Sequence, residues 1–366
     1  MFSLFGPRHT FVSAVSQKGQ RSLCGLSEPA RTDAERRAKK FELVLRLSYL
    51  SSANPLCTPH RRCFSPKMSL PLFATSTLRV ICTSDTHNEN PAAHVPDGDI
   101  FIHAGDLVDR GSSIDQYAAA LEWISNLPHK LKILTAGNGD VELDRGSNRF
   151  DPDVLSLFLS EEAKSKGVVY LDRETRVIGH IEQNGQTREI KVYGNPLQPE
   201  FSGNRYPFTF HPHPDPAAEG AWETAPGADD GVQIWVTHGP PRHRLDNANV
   251  PGFIGCPVQA RKVAESKPLL CVFGHFHYNW GVERVRWNGE EFGETEVLTF
   301  SEEKKRMEGL NGPLTPRNAF DFSGSVEELG KAEQGKETIF VNAAWMTTRK
   351  RQIEERNRPI AITVTL

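Results

Sequence analysis

The sequence predicts an α/β fold, a sandwich of two mixed β-sheets flanked by helices. Five short runs of apolar and β-branched residues have the length and composition of buried strands. Each run stops at a polar, glycine-containing block, which is where open α/β sheets place their sites. Short runs that all end at such blocks favour two packed sheets with the polar side chains gathered at one edge. The five predicted strands span residues 78–83, 100–103, 132–135, 233–237 and 269–273.

One helix and one hairpin have local signals of their own. Apolar residues recur at three- and four-residue spacing from Ile114 to Ile124, directly after Ser112 and Ser113, which are capping residues by type. This pattern predicts an amphipathic helix. The dipeptide Asn184-Gly185 lies between two strand-like runs and predicts a hairpin turn. Further strands are expected at residues 177–181, 189–193, 338–342 and 360–366.

Two stretches are expected to be insertions in the predicted domain, which spans residues 74–366. Residues 196–230 are rich in Pro, Gly and His and are expected to form a long loop that faces the substrate. Residues 287–336 are charged and irregular in pattern, which indicates a surface insertion.

The charge of the 366-residue chain is divided unevenly. Residues 1–67 contain twelve Lys and Arg against four Asp and Glu, whereas the remainder contains 31 against 42. We therefore expect residues 1–73 to be a basic extension that is either disordered or a targeting segment. Residues 1–27 have basic residues, many serines and no acid, so a mitochondrial location is an alternative to the cytoplasmic one otherwise expected.

Composition also excludes several classes of protein. No window approaches the ~18 consecutive apolar residues of a membrane span, and a net charge of −3 gives no general attraction to nucleic acid. The six cysteines form no CxxC pair, so reduced thiols are expected. Cys82 and Cys271 lie in strand-like runs and are expected to pack in the core. The oligomeric state is not indicated.

Seven side chains in the polar blocks have the chemistry of metal ligands. Three are Asp or Asn oxygen donors and four are imidazoles, a set that suits two borderline divalent cations, whereas an all-thiolate zinc site would need cysteines in these blocks. The sequence therefore predicts a hydrolase with two metal ions. The seven candidates are Asp85, His87, Asp106, Asn138, His238, His275 and His277.

The ordered blocks Asp-x-His, Gly-Asp, Gly-Asn, His-Gly and Gly-His-x-His resemble those of the calcineurin-like metallophosphoesterases. The surroundings of Asp85, residues 196–201, the Thr237-His238-Gly239-Pro240-Pro241 block and residues 340–343 are similar to the metallophosphoesterase-domain-containing (239FB-type) group.

The resemblance implies a sandwich fold and a metal pair bridged by the carboxylate of Asp106. The first ion would take Asp85, His87, Asp106 and His277, and the second would take Asp106, Asn138, His238 and His275. A metal-bridging hydroxide would attack the phosphorus atom. Manganese is the expected metal, with iron or zinc as alternatives.

Gly139 departs from the family pattern. The family has Gly-Asn-His-Glu/Asp here, and its His contacts the phosphate and is a proposed proton donor to the leaving group. This chain has Gly137-Asn138-Gly139-Asp140. We expect lower activity, because a general acid contributes a factor of about 10² to 10⁴ in rate. Gly139 either leaves space for a ligand or occupies a backbone angle that only glycine tolerates.

The block Gly105-Asp106-Leu107-Val108-Asp109-Arg110-Gly111 resembles that of the Ser/Thr phosphatases, in which the Arg binds phosphate. Arg110 is then a phosphate ligand and Asp109 an acid that has lost its usual His partner; alternatively, the two form a loop salt bridge. The expected substrate contacts are Arg110 and Gly139. The expected catalytic residues are Asp106, Asn138, Arg110 and Asp109.

Two functions are consistent with these residues. The first is hydrolysis of small phosphate esters, with phosphodiesters or cyclic nucleotides as the expected substrates. The alternative is a weakly active or inactive protein that binds a nucleotide or another phosphorylated ligand at the same metals. A protein phosphatase is a third possibility, which rests only on the block around Arg110. The expected partner is a small phosphate ester or nucleotide.

Overall fold

The computed structural model describes residues 70–183, 185–200, 206–211, 215–246, 254–289, 291–300, 320–321, 334–347 and 356–366. The expectations for residues 1–69, for Asn184 and for most of residues 301–333 lie outside the described residues. The predicted strands and the seven candidate metal ligands lie within the described residues.

The described residues form sixteen strands and five α-helices, numbered here in chain order. The strands are β1 (Leu72–Phe73), β2 (Thr77–Thr83), β3 (Ile100–Ala104), β4 (Leu131–Thr135), β5 (Val168–Tyr170), β6 (Glu174–Gln183), β7 (Gln186–Asn195), β8 (Gln198–Pro199), β9 (Thr209–Phe210), β10 (Ile234–Thr237), β11 (Leu270–Phe273), β12 (Gly281–Asn288), β13 (Glu291–Phe300), β14 (Phe320–Asp321), β15 (Glu337–Asn342) and β16 (Ile360–Thr365). The helices are α1 (Ile114–Ser125), α2 (Pro152–Leu159), α3 (Glu161–Ser165), α4 (Asp215–Ala221) and α5 (Pro257–Ser266).

Two mixed sheets contain all of the strands except β8 and β9. The first has eight strands in the order β1-β6-β7-β10-β11-β15-β12-β13, with β7, β10, β11 and β15 parallel in its centre. The second has six strands in the order β14-β16-β2-β3-β4-β5, of which β2 to β5 are parallel. The parallel strands β2, β3, β4, β10 and β11 end at the polar blocks, which positions the candidate ligands.

The apolar side chains divide into three buried clusters that explain this layering. The central cluster contains residues from strands of both sheets, such as Val80 and Ile102 from one and Val236 and Val272 from the other. A second cluster packs α1 and α2 against the outer face of the six-stranded sheet. A third packs α4 and α5 against the outer face of the eight-stranded sheet. Parallel strands covered on both faces read as continuous apolar runs, which is how these strands appear in the sequence.

The predicted sandwich of two mixed sheets flanked by helices is confirmed. All five predicted strands are present with ends shifted by no more than one residue, and each is followed by its polar block. The predicted helix is α1, and the amide of Ser113 donates to the side chain of Gln116 at its start. The predicted hairpin is β6 and β7, which pair antiparallel. The closing strands are β15 and β16, and Cys82 and Cys271 are buried.

Both predicted insertions contain more regular structure than expected. Residues 196–230 include β8, β9 and α4 rather than a continuous loop. Residues 287–300 are not irregular, because β12 and β13 form an antiparallel hairpin at the edge of the eight-stranded sheet. Acidic residues of this stretch pair across the hairpin with arginines that precede the stretch: Glu296 binds Arg284 and Glu294 binds Arg286.

The sheet edge also begins earlier than expected, since β1 precedes the predicted domain start at residue 74. None of the helices in the described part of the chain has the length and apolar character needed to span a bilayer.

Candidate metal centre

The loop after β2 carries Asp85 and His87 in an unusual backbone conformation. Asp85, His87 and Asn88 all have positive φ, with values of 55°, 46° and 69°. Their amides donate to the carbonyl groups of Gly105, Asp106 and Leu107 at 2.9, 3.1 and 3.0 Å. The loop therefore lies along the block that follows β3, which brings the two aspartates together.

The carboxylate of Asp106 lies between histidines from two different blocks. Its Oδ2 is 3.5 Å from Nε2 of His87, and its Oδ1 is 3.4 Å from Nε2 of His238. The Oδ1 of Asn138 is 3.2 Å from the same Nε2 of His238. A single carboxylate thus faces donors from the loops after β2 and β10, as a bridging ligand would.

A hydrogen bond from Nδ1 of His238 directs its other ring nitrogen, Nε2, into this cluster. Its Nδ1 is 2.9 Å from the carbonyl oxygen of Ala104, which can only accept. Nδ1 therefore carries the proton, and Nε2 presents a lone pair toward Asp106 and Asn138. This arrangement fixes both ring orientation and tautomer, as is typical of histidines that bind metals.

The loop after β11 adds His275 and His277. The amide of His275 donates to both oxygens of Asp85 at 3.2 and 3.0 Å, and Ser84 Oγ also donates to Asp85. The Nε2 of His277 lies 3.3 Å from Asp85 Oδ1 and 3.4 Å from Nε2 of His87. The ring of His275 contacts that of His238 edge to face, with centroids 5.0 Å apart.

The surroundings shift two of these groups toward their metal-binding forms. Burial alone would raise the pKa of Asp85, but hydrogen bonding to His277 and the nearby histidine rings hold that pKa well below its usual range. Burial lowers the pKa of His275 to about 3, and His238 adds to this effect. At neutral pH Asp85 is therefore a carboxylate and His275 a neutral imidazole, the forms that bind metal ions.

Two overlapping groups of donors could each hold a cation. In each, one donor atom per residue lies within 4.8 Å of the others. One group is Asp85, His87 and His277, and the other is Asp85, Asp106 and His238. Asp85 belongs to both groups, and Asp106 lies within 3.5 Å of His87 and His238. The mixture of imidazole nitrogens and carboxylate oxygens fits a pair of divalent cations such as manganese, iron or zinc.

A family model for the calcineurin-like phosphoesterases matches residues 78–279, more than half of the chain. The chain belongs to this family. The matched range extends from β2 to the turn that contains His277, so it includes every candidate metal ligand.

Three relatives are similar to this chain in sequence. A protein of Emericella nidulans named "Probable rhamnogalacturonate lyase C" is 36% identical over 219 residues, which cover 58% of this chain and 18% of that protein. The human "Metallophosphoesterase domain-containing protein 1" is 32% identical over 216 residues, which cover 56% of this chain and 62% of that protein. The "UPF0046 protein K07C11.7" of Caenorhabditis elegans is 29% identical, over 58% of this chain and 68% of that protein. The matched part of the chain therefore spans less than two thirds of the first two relatives.

Asp140, which the sequence did not single out, holds two of the family's blocks together. Its fully buried carboxylate accepts from the amides of Gly137, Val108 and Leu107 at 2.8, 3.1 and 3.3 Å. Burial and the nearby Asp106 raise its pKa to about 7. The three bonds connect the loop that carries Asp106 to the loop that carries Asn138, so Asp140 positions both.

Gly139 is confined by its neighbours rather than beside open space. Its amide donates to Asp106 Oδ1 at 2.6 Å. A Cβ atom at this position would lie 2.5 Å from the carbonyl oxygen of Val108. Its φ is not positive, so the expected left-handed backbone angle is wrong, and the Cβ direction is filled. Contact of this glycine with a substrate stays a prediction. Glycine is required here by close approach of the backbone.

Asp109 and Arg110 each have a contact of their own at the rim. Asp109 Oδ1 lies 3.1 Å from Nδ1 of His87, on the opposite side of the ring from the cluster. The guanidinium carbon of Arg110 lies 3.5 Å from the centroid of the Tyr206 ring, which belongs to the stretch predicted to face the substrate. The Asp109 carboxylate therefore contacts His87 on the side away from the cluster. The guanidinium of Arg110 is stacked on the ring of Tyr206.

Two further histidines lie near the site in sequence but have other contacts. His103 is buried, and its Nε2 is 3.0 Å from Thr86 Oγ1. His243 is exposed on the loop after His238. Gln198 in β8 is buried, and a Cβ atom added at Gly239, beside His238, would lie 2.7 Å from its Cβ. The side-chain amide of Gln198 has no hydrogen-bond partner among the described residues. A buried unpaired amide next to a site is a candidate substrate contact.

Proposed function

We propose that this chain is a metal-dependent phosphoesterase that hydrolyses small phosphate esters, with phosphodiesters or cyclic nucleotides as its substrates. The observation that supports this most directly is that candidate ligands from five blocks meet at one place. Asp106 lies between His87 and His238, and Asn138 contacts His238. The ring of His275 contacts that of His238, and Nε2 of His277 lies 3.3 Å from Asp85. Membership of the phosphoesterase family supports the reaction class.

The proposed ligands follow from these contacts. Asp85, His87 and His277 would hold one cation, His238, His275 and Asn138 would hold the other, and Asp106 would contact both. When bound, such a pair polarises the phosphate and activates water as the nucleophile. The protein's own contribution is orientation: the carbonyl of Ala104 fixes the His238 ring, and Asp109 contacts the far side of the His87 ring.

Arg110 is the proposed phosphate ligand among the remaining residues. Its guanidinium is stacked on Tyr206, which restrains the plane of its donor fork without using its N–H groups. A planar fork of N–H donors suits two phosphate oxygens at once. Asp109, which the sequence predicts as catalytic, is proposed to position the His87 ring, because its Oδ1 lies 3.1 Å from Nδ1 of that ring.

No side chain at position 139 supplies a proton to the leaving group. Esters whose alcohol leaves readily as an anion should therefore react faster than esters of alkyl alcohols. The same observation favours a second candidate function, a weakly active protein that retains nucleotides or other phosphorylated ligands at the metals. Manganese is the proposed metal in both cases.

The test is an activity screen of the metal-free chain reconstituted separately with Mn²⁺, Fe²⁺ and Zn²⁺. The substrates are p-nitrophenyl phosphate, bis-p-nitrophenyl phosphate and cyclic AMP. We expect the diesters to be hydrolysed, with a loss of about 10² or more in rate for His238→Ala. His243→Ala, which changes an exposed histidine on the same loop, is the matched control and should react like the wild type.

The outcomes separate the two candidates. Equal rates for the wild type and His238→Ala would refute the proposed reaction at this site. Stoichiometric metal and tight AMP binding without turnover would favour the ligand-binding function.

A further inference from the structure

Glu89 ends the ligand loop after β2 and is held by side chains from a distant part of the chain. Its Oε2 accepts from the indole Nε1 of Trp345 at 2.7 Å and from Nε of Arg356 at 2.9 Å. Its Oε1 accepts from a terminal nitrogen of Arg356 at 2.6 Å. Three charge-assisted hydrogen bonds thus converge on one carboxylate, and the Arg356 side chain is only 7% exposed.

Trp345 connects both ends of the ligand loop. Its amide donates to the carbonyl oxygen of Ser84, which directly precedes Asp85, while its indole reaches Glu89. Arg356 is anchored in turn, because the amide of Asn357 donates to the carbonyl oxygen of Trp345 at 2.9 Å. Together Glu89, Trp345 and Arg356 form a clamp that spans residues 84–89.

Without the clamp, the loop is expected to relax to another conformation. Asp85, His87 and Asn88 all have positive φ, a conformation that is unfavourable for residues with side chains and persists only where the surroundings enforce it. The hydrogen bonds to residues 105–107 hold the loop from one side. The clamp holds it from the other, at the end that those bonds do not reach.

We propose that Glu89 and Arg356, with Trp345, are positioning residues for the metal centre, which keep the Asp85 and His87 side chains in the geometry that binds cations before any cation arrives. This inference rests on the proposed metal site. It assigns a role to residues beyond 279, outside the range that the family model matches. A loop that is already ordered loses less conformational entropy on binding, so the clamp should raise metal affinity.

The experiment compares Arg356→Ala with Arg284→Ala in the full chain. Arg284 is the matched control because it is equally buried, at 6%, and donates two bonds to Glu296, yet it lies on β12, which carries no candidate ligand. Two quantities are measured: Mn²⁺ affinity of the metal-free protein by titration calorimetry, and amide hydrogen exchange of residues 85–88 in that protein. Neither depends on turnover.

For Arg356→Ala we expect Mn²⁺ affinity to fall about tenfold or more, with faster exchange at residues 85–88. Arg284→Ala should change neither quantity. Arg356→Lys, which keeps the charge but not the paired donors, should recover part of the affinity. Wild-type affinity and exchange in Arg356→Ala, or equal losses in both alanine variants, would overturn the proposal.

Two further outcomes are distinguishable. If the wild type itself bound no Mn²⁺, the proposed function would fail, while the exchange data on the metal-free protein would still decide whether the clamp orders the loop. If Arg356→Ala did not fold, Trp345→Phe would replace it, since this change removes one donor and keeps an aromatic ring. Faster exchange at residues 85–88 in Trp345→Phe would support the clamp, and unchanged exchange would overturn it.

Discussion

Two loops meet at the candidate metal centre, and they are held in different ways. The loop from Gly137 to Asp140 is packed against the loop after β3, because the buried carboxylate of Asp140 binds one amide of its own loop and two of the other. A Cβ atom at Gly139 would clash with the carbonyl of Val108. The loop from Asp85 to Glu89 has a less favourable backbone and is fixed from outside by Trp345 and Arg356. The first loop has no room for an added atom at Gly139, whereas the second depends on hydrogen bonds from a distant part of the chain.

The difference implies different responses to substitution. A close-packed loop tolerates no added atom, so a small change there should alter stability and site together. A loop held by hydrogen bonds should lose its order locally while the two sheets remain intact. Three comparisons of variants, in and beside these loops, test how each part of the site responds.

The first is Asp106→Asn, compared with His87→Ala. Asp106 faces donors on both sides, so its loss removes charge from between two cations, whereas His87 contacts one side only. Elemental analysis should find less than one ion per chain for Asp106→Asn and close to one for His87→Ala. Full occupancy by two ions in Asp106→Asn would contradict the bridging role.

The second is Gly139→Ala, compared with Gly220→Ala. At position 139 the new Cβ would lie 2.5 Å from the carbonyl of Val108, whereas nothing lies within 4 Å of position 220 in α4. Urea unfolding of the metal-free protein should show a loss of about 1–3 kcal/mol for Gly139→Ala. Gly220→Ala should be neutral or stabilising by up to about 1 kcal/mol.

Gly139→His extends this test to the chemistry. A Cβ atom at position 139 would clash with the carbonyl oxygen of Val108. Placing the family's histidine there should therefore not restore the general acid. A folded Gly139→His variant with both metals and a selective gain on alkyl phosphodiesters would show instead that the loop can move aside.

The third and smallest effect is expected for Asp109→Asn. Asp109 contacts the Nδ1 of His87, but its side chain is 59% exposed, so solvent screens the pair. Mn²⁺ affinity should fall by no more than about fivefold, the equivalent of an exposed ion pair. Asp229→Asn, an exposed acid on another loop, should have no effect. A hundredfold loss of Mn²⁺ affinity in Asp109→Asn would contradict this. It would mean that the surroundings of Asp109 are less hydrated and more rigid than its exposure indicates.

The strands and the ligand blocks could be read from the sequence because both are local signals. An apolar run predicts a strand, and the Gly-Asp or Gly-His that follows it predicts a metal ligand. The β12–β13 hairpin was missed because its charges look like a solvated surface until Arg284 and Glu296 are seen to pair across strands. The clamp on Glu89 gave no signal at all, since Arg356 lies 267 residues away in sequence.

Gly139 shows a further limit of local patterns. The motif Gly-Asn-Gly-Asp reveals that a histidine is missing, but not that the carbonyl of Val108 occupies the neighbouring space. That contact belongs to the loop after β3, more than thirty residues earlier. Whether a position is vacant or closed is a property of packing, which no single block contains.

The position of β16 has a consequence for how the chain is made. β16 lies beside β2 in the six-stranded sheet, and Ile360 pairs with Cys82. During synthesis, the strand that pairs with this edge of β2 is made roughly 280 residues later. At about 5–20 residues per second, the delay is on the order of 15–60 s. Throughout that interval the growing chain exposes an unpaired strand edge, the kind of surface on which nascent chains aggregate and to which chaperones bind. Slow translation through the region after β13 would lengthen this exposure, so codon choice there should affect the yield of soluble protein.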